Sequence, residues 1–309
     1  MRIIFMGTPE FAVPTLDLLV QEGFDIRLVV TQPDRPAQRG LRLSPPPVKA
    51  AALKLGLPVF QPEKINSPES LEKMRLIRPD VLVVVAFGRI LRSECLSLAP
   101  LGAINAHPSL LPRYRGPAPI QHALLNGDSE TGVTTIFMDE RMDAGDIILQ
   151  KRVPIFEDDD CQSLSQRLSE ETASLMVQTL RLLPTGHCPR IPQDDVQATY
   201  APILPPSLSH IDFSWSAKRI VNLIRALSPQ PGAHSFLRGK RIKFLKAKAV
   251  AGGQGGEPGQ IISVTPSDFL IATGEGSLRP LTVQTEGRRP LAVDEWLRGM
   301  PVKVGEKFE

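Results

Sequence analysis

Within its first 31 residues the chain places a strand, a helix and a second strand, and this unit restricts the fold more than any other feature. Arg2-Ile3-Ile4-Phe5-Met6 is a short apolar run and Gly7-Thr8-Pro9 turns the chain. Residues 10–22 then carry Phe11, Leu16, Leu19 and Val20 at roughly helical spacing before Gly23, and Asp25 to Thr31 forms the next apolar run. Strands joined through a helix run parallel and need helices to cover both faces of the sheet. The run Val81 to Phe87 and the short segments Gly102–Ala106 and Thr131–Met138 extend the same pattern, with helix-like stretches at 48–55, 67–77 and 164–183. The expected class is α/β, a doubly wound, mostly parallel, Rossmann-like sheet.

The composition changes near residue 184. Six prolines fall between Pro184 and Pro206, and proline removes a backbone donor and favours extended chain, so residues 185–207 read as a linker. Beyond it a short helix at 216–226 precedes Gly- and Pro-punctuated strands at 233–250, 259–264, 269–273 and 281–285, the pattern of a small β-barrel. The expected domains are 1–184, with the α/β sheet, and 208–309, with the barrel.

Charge separates the same two parts. Residues 1–205 hold 21 Lys+Arg against 24 Asp+Glu, and residues 206–309 hold 15 against 9, so the net charge of +3 is the sum of −3 and +6. A basic C-terminal third points to a polyanionic partner. A hydrophobic fraction of 42% with 22% charged residues is that of a soluble globular chain, and no apolar run approaches the ~20 residues that span a bilayer. With no signal-peptide pattern at Met1 and three widely spaced cysteines (Cys95, Cys161, Cys188), a reducing, cytoplasmic setting is expected.

The chemistry concentrates in NAHPSLLPRYRG, residues 105–116. Asn105 and His107 stand two apart, on one face if the strand reaches His107, at the carboxyl end of a strand where open parallel sheets bind ligands. No serine or cysteine nucleophile accompanies them as a partner. A carboxylate from the loop Met138 to Asp146 could orient the imidazole, and spacing does not choose among Asp139, Asp143 and Asp146. Gly7-Thr8-Pro9-Glu10-Phe11 lacks Gly-x-Gly-x-x-Gly and no P-loop occurs, which disfavours a dinucleotide dehydrogenase or an NTPase. His122, His187, His210 and His234 have no partners at ligand spacing, so no metal is expected.

Two basic stretches remain. Residues 31–43 read as a long irregular loop, whose Arg35, Arg39 and Arg42 could grip phosphate with paired donors. Arg238 to Lys248 is the densest patch: Lys240, Arg241, Lys243, Lys246 and Lys248. Arg241 and Lys243 share a face opposite Ile242 and Phe244, but Lys246 and Lys248 fall on the other face unless a bulge lies near Leu245.

GTPEFAVPTL, VTQPDRPAQRG, SPPPVKAAA, GLPVFQP, NAHPSLLPRYRGPAPIQ and MDAGDI occur in this order and together resemble the methionyl-tRNA formyltransferases, within the wider group of 10-formyltetrahydrofolate-dependent formyltransferases. The resemblance covers nearly the whole chain, most densely to about residue 150. It implies transfer of a formyl group from 10-formyltetrahydrofolate to the methionine amine of initiator methionyl-tRNA, with Asn105 as oxyanion donor, His107 as donor and proton-transfer group, and Asp143 as orienter and base. It also implies that Ser109, Leu110, Leu111 and Pro112 form the folate loop, that Phe87 and Gly88 line the pterin side, that Arg42 and its loop reach the acceptor stem, and that the basic, OB-like barrel holds the tRNA. A monomer without an obligate protein partner is expected. Where many relatives carry a lysine, this junction has Pro202-Ile203-Leu204-Pro205-Pro206, and Asp212-Phe213 replaces the usual Asp-Trp. The alternative within the same chemistry is a formyltransferase acting on an amino sugar nucleotide; outside it stands an RNA-binding module with a decayed enzyme body, which predicts damage at the trio, yet Asn105, His107 and Asp143 are intact.

Overall fold

A computed structural model describes residues 1–37, 42–252 and 255–309. The chain divides into two compact units, one of residues 1–119, 130–154 and 165–202, the other of 120–129, 155–164 and 203–309. The stretch expected as a linker is therefore part of the first unit as far as Pro202, because its backbone is hydrogen-bonded there, as at Ile191 with Ile147 and at Thr199 and Ala201 with Arg115.

The elements of the first part of the chain are, in order, β1 (Arg2–Gly7), α1 (Val13–Gln21), β2 (Asp25–Val30), β3 (Arg35–Ala37), β4 (Arg42–Ser44), α2 (Pro47–Lys54), β5 (Val59–Phe60), α3 (Pro68–Leu76), β6 (Val81–Val85), α4 (Ser93–Leu96), β7 (Ala103–His107), α5 (Pro119–Asn126), β8 (Glu130–Phe137), β9 (Ile147–Pro154) and α6 (Cys161–Leu182). One sheet runs β5-β2-β1-β6-β7-β8-β9. Its pairings are parallel from β5 to β7 and antiparallel at β7–β8 and β8–β9. Every residue of β6 and all but the first of β1 are buried, as a central parallel strand covered on both faces requires. Strand order reverses beside β1, so the carboxyl ends of β1, β6 and β7 open at a topological switch point. α3 begins where the Ser67 hydroxyl accepts the Ser70 N–H at 3.3 Å with Pro68 in the first turn, a favourable helix start.

The loop expected to be irregular at 31–43 contains the antiparallel pair β3–β4, with Arg35 opposite Ser44 and Ala37 opposite Arg42. Arg39 lies outside the described residues.

The second unit holds α7 (Ala217–Leu227), β10 (Ala233–Leu237), β11 (Lys240–Val250), β12 (Ile261–Thr265), β13 (Asp268–Ala272), β14 (Ser277–Thr285), β15 (Leu291–Ala292) and α8 (Val293–Gly299). The strands form a six-stranded antiparallel sheet, β10-β11-β14-β13-β12, with β15 on β14. The run expected at 233–250 is two strands, because Arg238 and Gly239 take φ of 51° and 70° and turn the chain back. The C-terminal segment joins the two edge strands: Glu306 and Gly305 bond to Ile261, while Glu309 and Phe236 exchange bonds at 2.9 and 3.1 Å. Phe308 of that segment is buried with Phe244, Phe269 and Trp296 against Ile220, Leu223 and Leu227 of α7. These bonds close the barrel that the spacing of the strands implied.

Candidate active site

β7 carries Asn105 and His107 to the open end of the sheet, where the main chain pairs them with Ile136 and Thr134 of β8. The loop between β8 and β9 brings Asp143 to the same place. Gly145 makes this possible: a Cβ there would stand 1.7 Å from the Phe137 carbonyl oxygen, so only glycine lets the loop fold so tightly. Asp143 itself adopts φ 51°, a left-handed conformation uncommon outside glycine and tolerated by Asp.

Asn105 Nδ2 donates to Asp143 Oδ1 at 3.3 Å, and His107 Nδ1 lies 3.5 Å from Asp143 Oδ2. The Gly116 N–H donates to Asp143 Oδ2 at 2.9 Å. On the far side of the ring, His107 Nε2 is 2.9 Å from the Tyr114 carbonyl oxygen. A carbonyl can only accept, so Nε2 carries a hydrogen, and Nδ1 is the nitrogen that gains or loses a proton facing the carboxylate. His107 is buried, while Asn105 and Asp143 are partly exposed. Ser109, the hydroxyl nearest in sequence, is fully buried and donates to the Arg113 carbonyl at 2.6 Å, so it is committed to its own loop. Among the described residues no group of three or more His, Cys, Asp or Glu could hold a metal ion.

Residues 1–180 match a family model described as formyl transferase, and residues 204–301 match the formyl transferase C-terminal domain. A methionyl-tRNA formyltransferase of Moorella thermoacetica is 46% identical over 99% of this chain and 98% of its own length, and one of Geobacter sulfurreducens is 46% identical over 100% and 96%. The chain belongs to the methionyl-tRNA formyltransferase family. Solved structures share the fold at low identity: a Helicobacter canadensis N-formyltransferase in complex with folinic acid and dTDP-3-aminofucose (TM-score 0.69, 20% identical, 90% of this chain and 98% of that one) and HypX of Aquifex aeolicus in complex with tetrahydrofolic acid (TM-score 0.66, 19%, 99% and 48%).

In this family member the residues expected around a folate divide into two groups. Leu110 and Pro112 are partly exposed, whereas Leu111 is buried with Ile136 and Ile147, its N–H bonded to Thr134 Oγ1 and its carbonyl to Gln150 Nε2. Ser109 and Leu111 thus shape the loop from within. Phe87 has its ring buried in the core with Val84, Leu91 and Met6, just after the chain turns at Ala86 (φ 47°). Its carbonyl, held by Thr8 Oγ1 at 3.0 Å and Gln32 Nε2 at 2.9 Å, fixes the strand end, and Gly88 is exposed beside it. Gly88 borders a cavity of about 550 Å³ whose wall includes Lys64, Asn66, Arg89 and Arg92.

The basic residues also separate. Ladder shifts between Phe244, Lys246 and Ala247 form a bulge near Leu245, so Ala247 is buried and Lys246 and Lys248 are exposed. Lys240 is exposed and Lys243 half-exposed, but Arg241 is paired with Glu286 at 2.7 Å and its charge is already matched. Arg35 is exposed and bonds Gln32 at 2.7 Å; the backbone of Arg42 lies in β4.

Sequence reading missed the supports of the trio. Arg115 is buried, pairs with Asp195 at 2.8 Å and donates twice to Gln193, and its guanidinium holds the Asp195 carboxyl below the usual range. Thr199 Oγ1 accepts the Tyr114 N–H at 2.8 Å. Arg115 stood in the quoted motif; Gln193 and Thr199 lay in a proline-rich stretch with no pattern to mark them.

Proposed function

We propose that the chain transfers the formyl group of 10-formyltetrahydrofolate to the free amino group of methionine on initiator methionyl-tRNA, a step of translation initiation in the cytoplasm. The observation that carries this reading is the meeting of Asn105, His107 and Asp143, with Asn105 and Asp143 partly exposed and, among the described residues, no serine or cysteine bonded to the trio. Such a site suits a reaction whose nucleophile is the substrate's own amine.

Asn105 keeps one amide N–H after its bond to Asp143 and offers it to the oxygen that gains charge as the formyl carbon is attacked. A fixed donor of this kind contributes about 3 kcal/mol to the transition state. His107, anchored through Nε2 to Tyr114, presents Nδ1 as the ring position that exchanges a proton with the Asp143 side of the site. Asp143, held by the Gly116 N–H, takes up the proton released by the amine as the new C–N bond forms. Collapse of the adduct then breaks the bond between the formyl carbon and N10 of the folate, and the proton passes from the His107–Asp143 pair to N10, which leaves as tetrahydrofolate.

The folate donor finds a chain that fits it at two places. Leu110 and Pro112 offer partly exposed apolar surface, and the cavity beside Gly88 is lined by three cations, Lys64, Arg89 and Arg92, against one acid, Glu63, a balance suited to the carboxylates of a folate tail. The tRNA is assigned to the domain 208–309 through Lys240, Lys243, Lys246 and Lys248, and to Arg35, Arg39 and Arg42 of the first domain. Such phosphate contacts confer affinity without reading sequence. The chain acts as a monomer in this reading.

Incubation with 10-formyltetrahydrofolate and charged initiator tRNA tests it. Formylmethionyl-tRNA is expected; formylation of an amino sugar nucleotide supplied in parallel, with the tRNA left unmodified, would overturn the assignment.

A further inference from the structure

The proline-rich stretch after α6 carries no catalytic motif, yet it supplies a side chain that touches both loops of the site. Ile191 exchanges two backbone bonds with Ile147, at 2.8 and 3.0 Å, which sets the following residues alongside the start of β9. Two residues on, the amide of Gln193 is fully used. Nε2 donates to the Asp143 carbonyl and to the Gly145 carbonyl, both at 2.8 Å, and Oε1 accepts from Arg115 Nε and Nη2 at 3.0 and 2.9 Å. A glutamine offers two donors and an acceptor oxygen with two lone pairs, so each is matched.

We propose that Gln193 is a positioning residue for formyl transfer, tying the Asp143 turn to the Tyr114–Gly116 loop and so fixing the His107–Asp143 pair. This inference rests on the formyl-transfer reading above.

The physical case is a chain of bonds that closes on itself. Asp143 sits in a left-handed conformation that must be imposed by its surroundings, and Gln193 holds the carbonyls on either side of Ala144. Arg115 transmits the other end: its N–H bonds to the Thr199 carbonyl and its carbonyl accepts from Ala201, both at 2.8 Å, and the residues beside it hold the reacting groups. Tyr114, at φ 62°, aims its carbonyl at His107 Nε2, and the Gly116 N–H holds Asp143 Oδ2. The same glutamine thus braces the carboxylate loop directly and the imidazole's anchor through Arg115. Its own side chain touches neither the imidazole nor the carboxylate, so its effect is on geometry. Asp195 supplies Arg115 with a second partner, so loss of the amide does not leave the guanidinium bare.

Gln193→Glu separates the two halves of this role. Glutamate keeps an oxygen facing Arg115 but replaces both donors to the Asp143 and Gly145 carbonyls with an acceptor. Gln193→Met removes both halves at nearly constant volume and serves where the charged variant folds poorly. Full-length wild type and variants are to be compared for kcat, for KM toward initiator methionyl-tRNA, for thermal midpoint and for the imidazole nitrogen resonances of His107. The expected result is a fall in kcat of about tenfold to a hundredfold, the size associated with small misplacements of reacting groups, with KM within about twofold and with the Nδ1 resonance of His107 displaced. Unchanged kcat and an unchanged His107 spectrum in Gln193→Glu would overturn the positioning role, as would a kcat loss that appears only where the protein has lost its folded baseline. A wild-type chain that makes no formylmethionyl-tRNA overturns the functional reading itself, a result distinct from an active wild type with an equally active variant.

Discussion

His107 Nδ1 stands 3.5 Å from Asp143 Oδ2 while the opposite nitrogen of the ring is bonded to the Tyr114 carbonyl at 2.9 Å. One nitrogen is occupied by the backbone and the other faces a carboxylate, so proton exchange is confined to the side of the ring where Asn105 and Asp143 meet.

Replacing Asn105 with Ala removes the amide donor of the trio. We expect kcat to fall about a hundredfold to a thousandfold, as for loss of a single oxyanion donor, with tRNA affinity retained. Gel-shift binding and single-turnover formylation measured together check it; equal losses in both would assign Asn105 a structural role.

Gly145→Ala forces a Cβ toward a carbonyl oxygen 1.7 Å away, so the Asp143 turn has to open. The expected cost is about 1–3 kcal/mol, typical of overpacking, accompanied by loss of activity. Denaturant midpoints give the first quantity, and an alanine variant as stable as wild type contradicts the tight turn.

Lys246 and Lys248 reach solvent together because of the bulge, whereas Arg241 is already paired with Glu286. Removing either lysine should lower the slope of log affinity for tRNA against log salt by about 1, and Arg241→Ala should lower it less. A slope indifferent to the lysines would remove this strand from the tRNA surface.

Hydrogen bonding from the Arg2 side chain, and then from its backbone N–H, holds the Asp80 carboxyl below its ordinary value. A depressed carboxyl adds stability that is fully present above the unfolded value, about 3.9, and disappears as pH falls through the lower folded one. The thermal-midpoint difference between wild type and Asp80→Asn should therefore be constant near neutrality and shrink in acid; a difference independent of pH rejects the coupling.

Burial pushes the thiols of Cys95 and Cys161 up to about 11. Thiolate is the reactive form, so iodoacetamide at neutral pH should modify neither in the folded protein while both react after denaturation. Rapid labelling of Cys95 under native conditions would contradict its place in the core.

The sequence by itself determined the mostly parallel sheet, since β1, α1 and β2 follow from the switch between apolar runs and helical spacing, and it determined that Asn105 and His107 would share a face wherever the strand reached His107, as β7 does. It also fixed the barrel's need for a bulge if Lys246 and Lys248 were to reach solvent. Spacing left Asp139, Asp143 and Asp146 open and the family resemblance named Asp143; the tertiary structure shows how that residue reaches His107, through a backbone turn in which Gly145 lies against the Phe137 carbonyl. It alone buried the Phe87 ring, and it alone brought Gln193 and Thr199 to the site. For Gln193 and Thr199 the physical reason is plain: local patterns record which residues share an element's face, whereas hydrogen bonds between residues 50 or more positions apart, such as Gln193 to Asp143, leave no periodic trace in the chain.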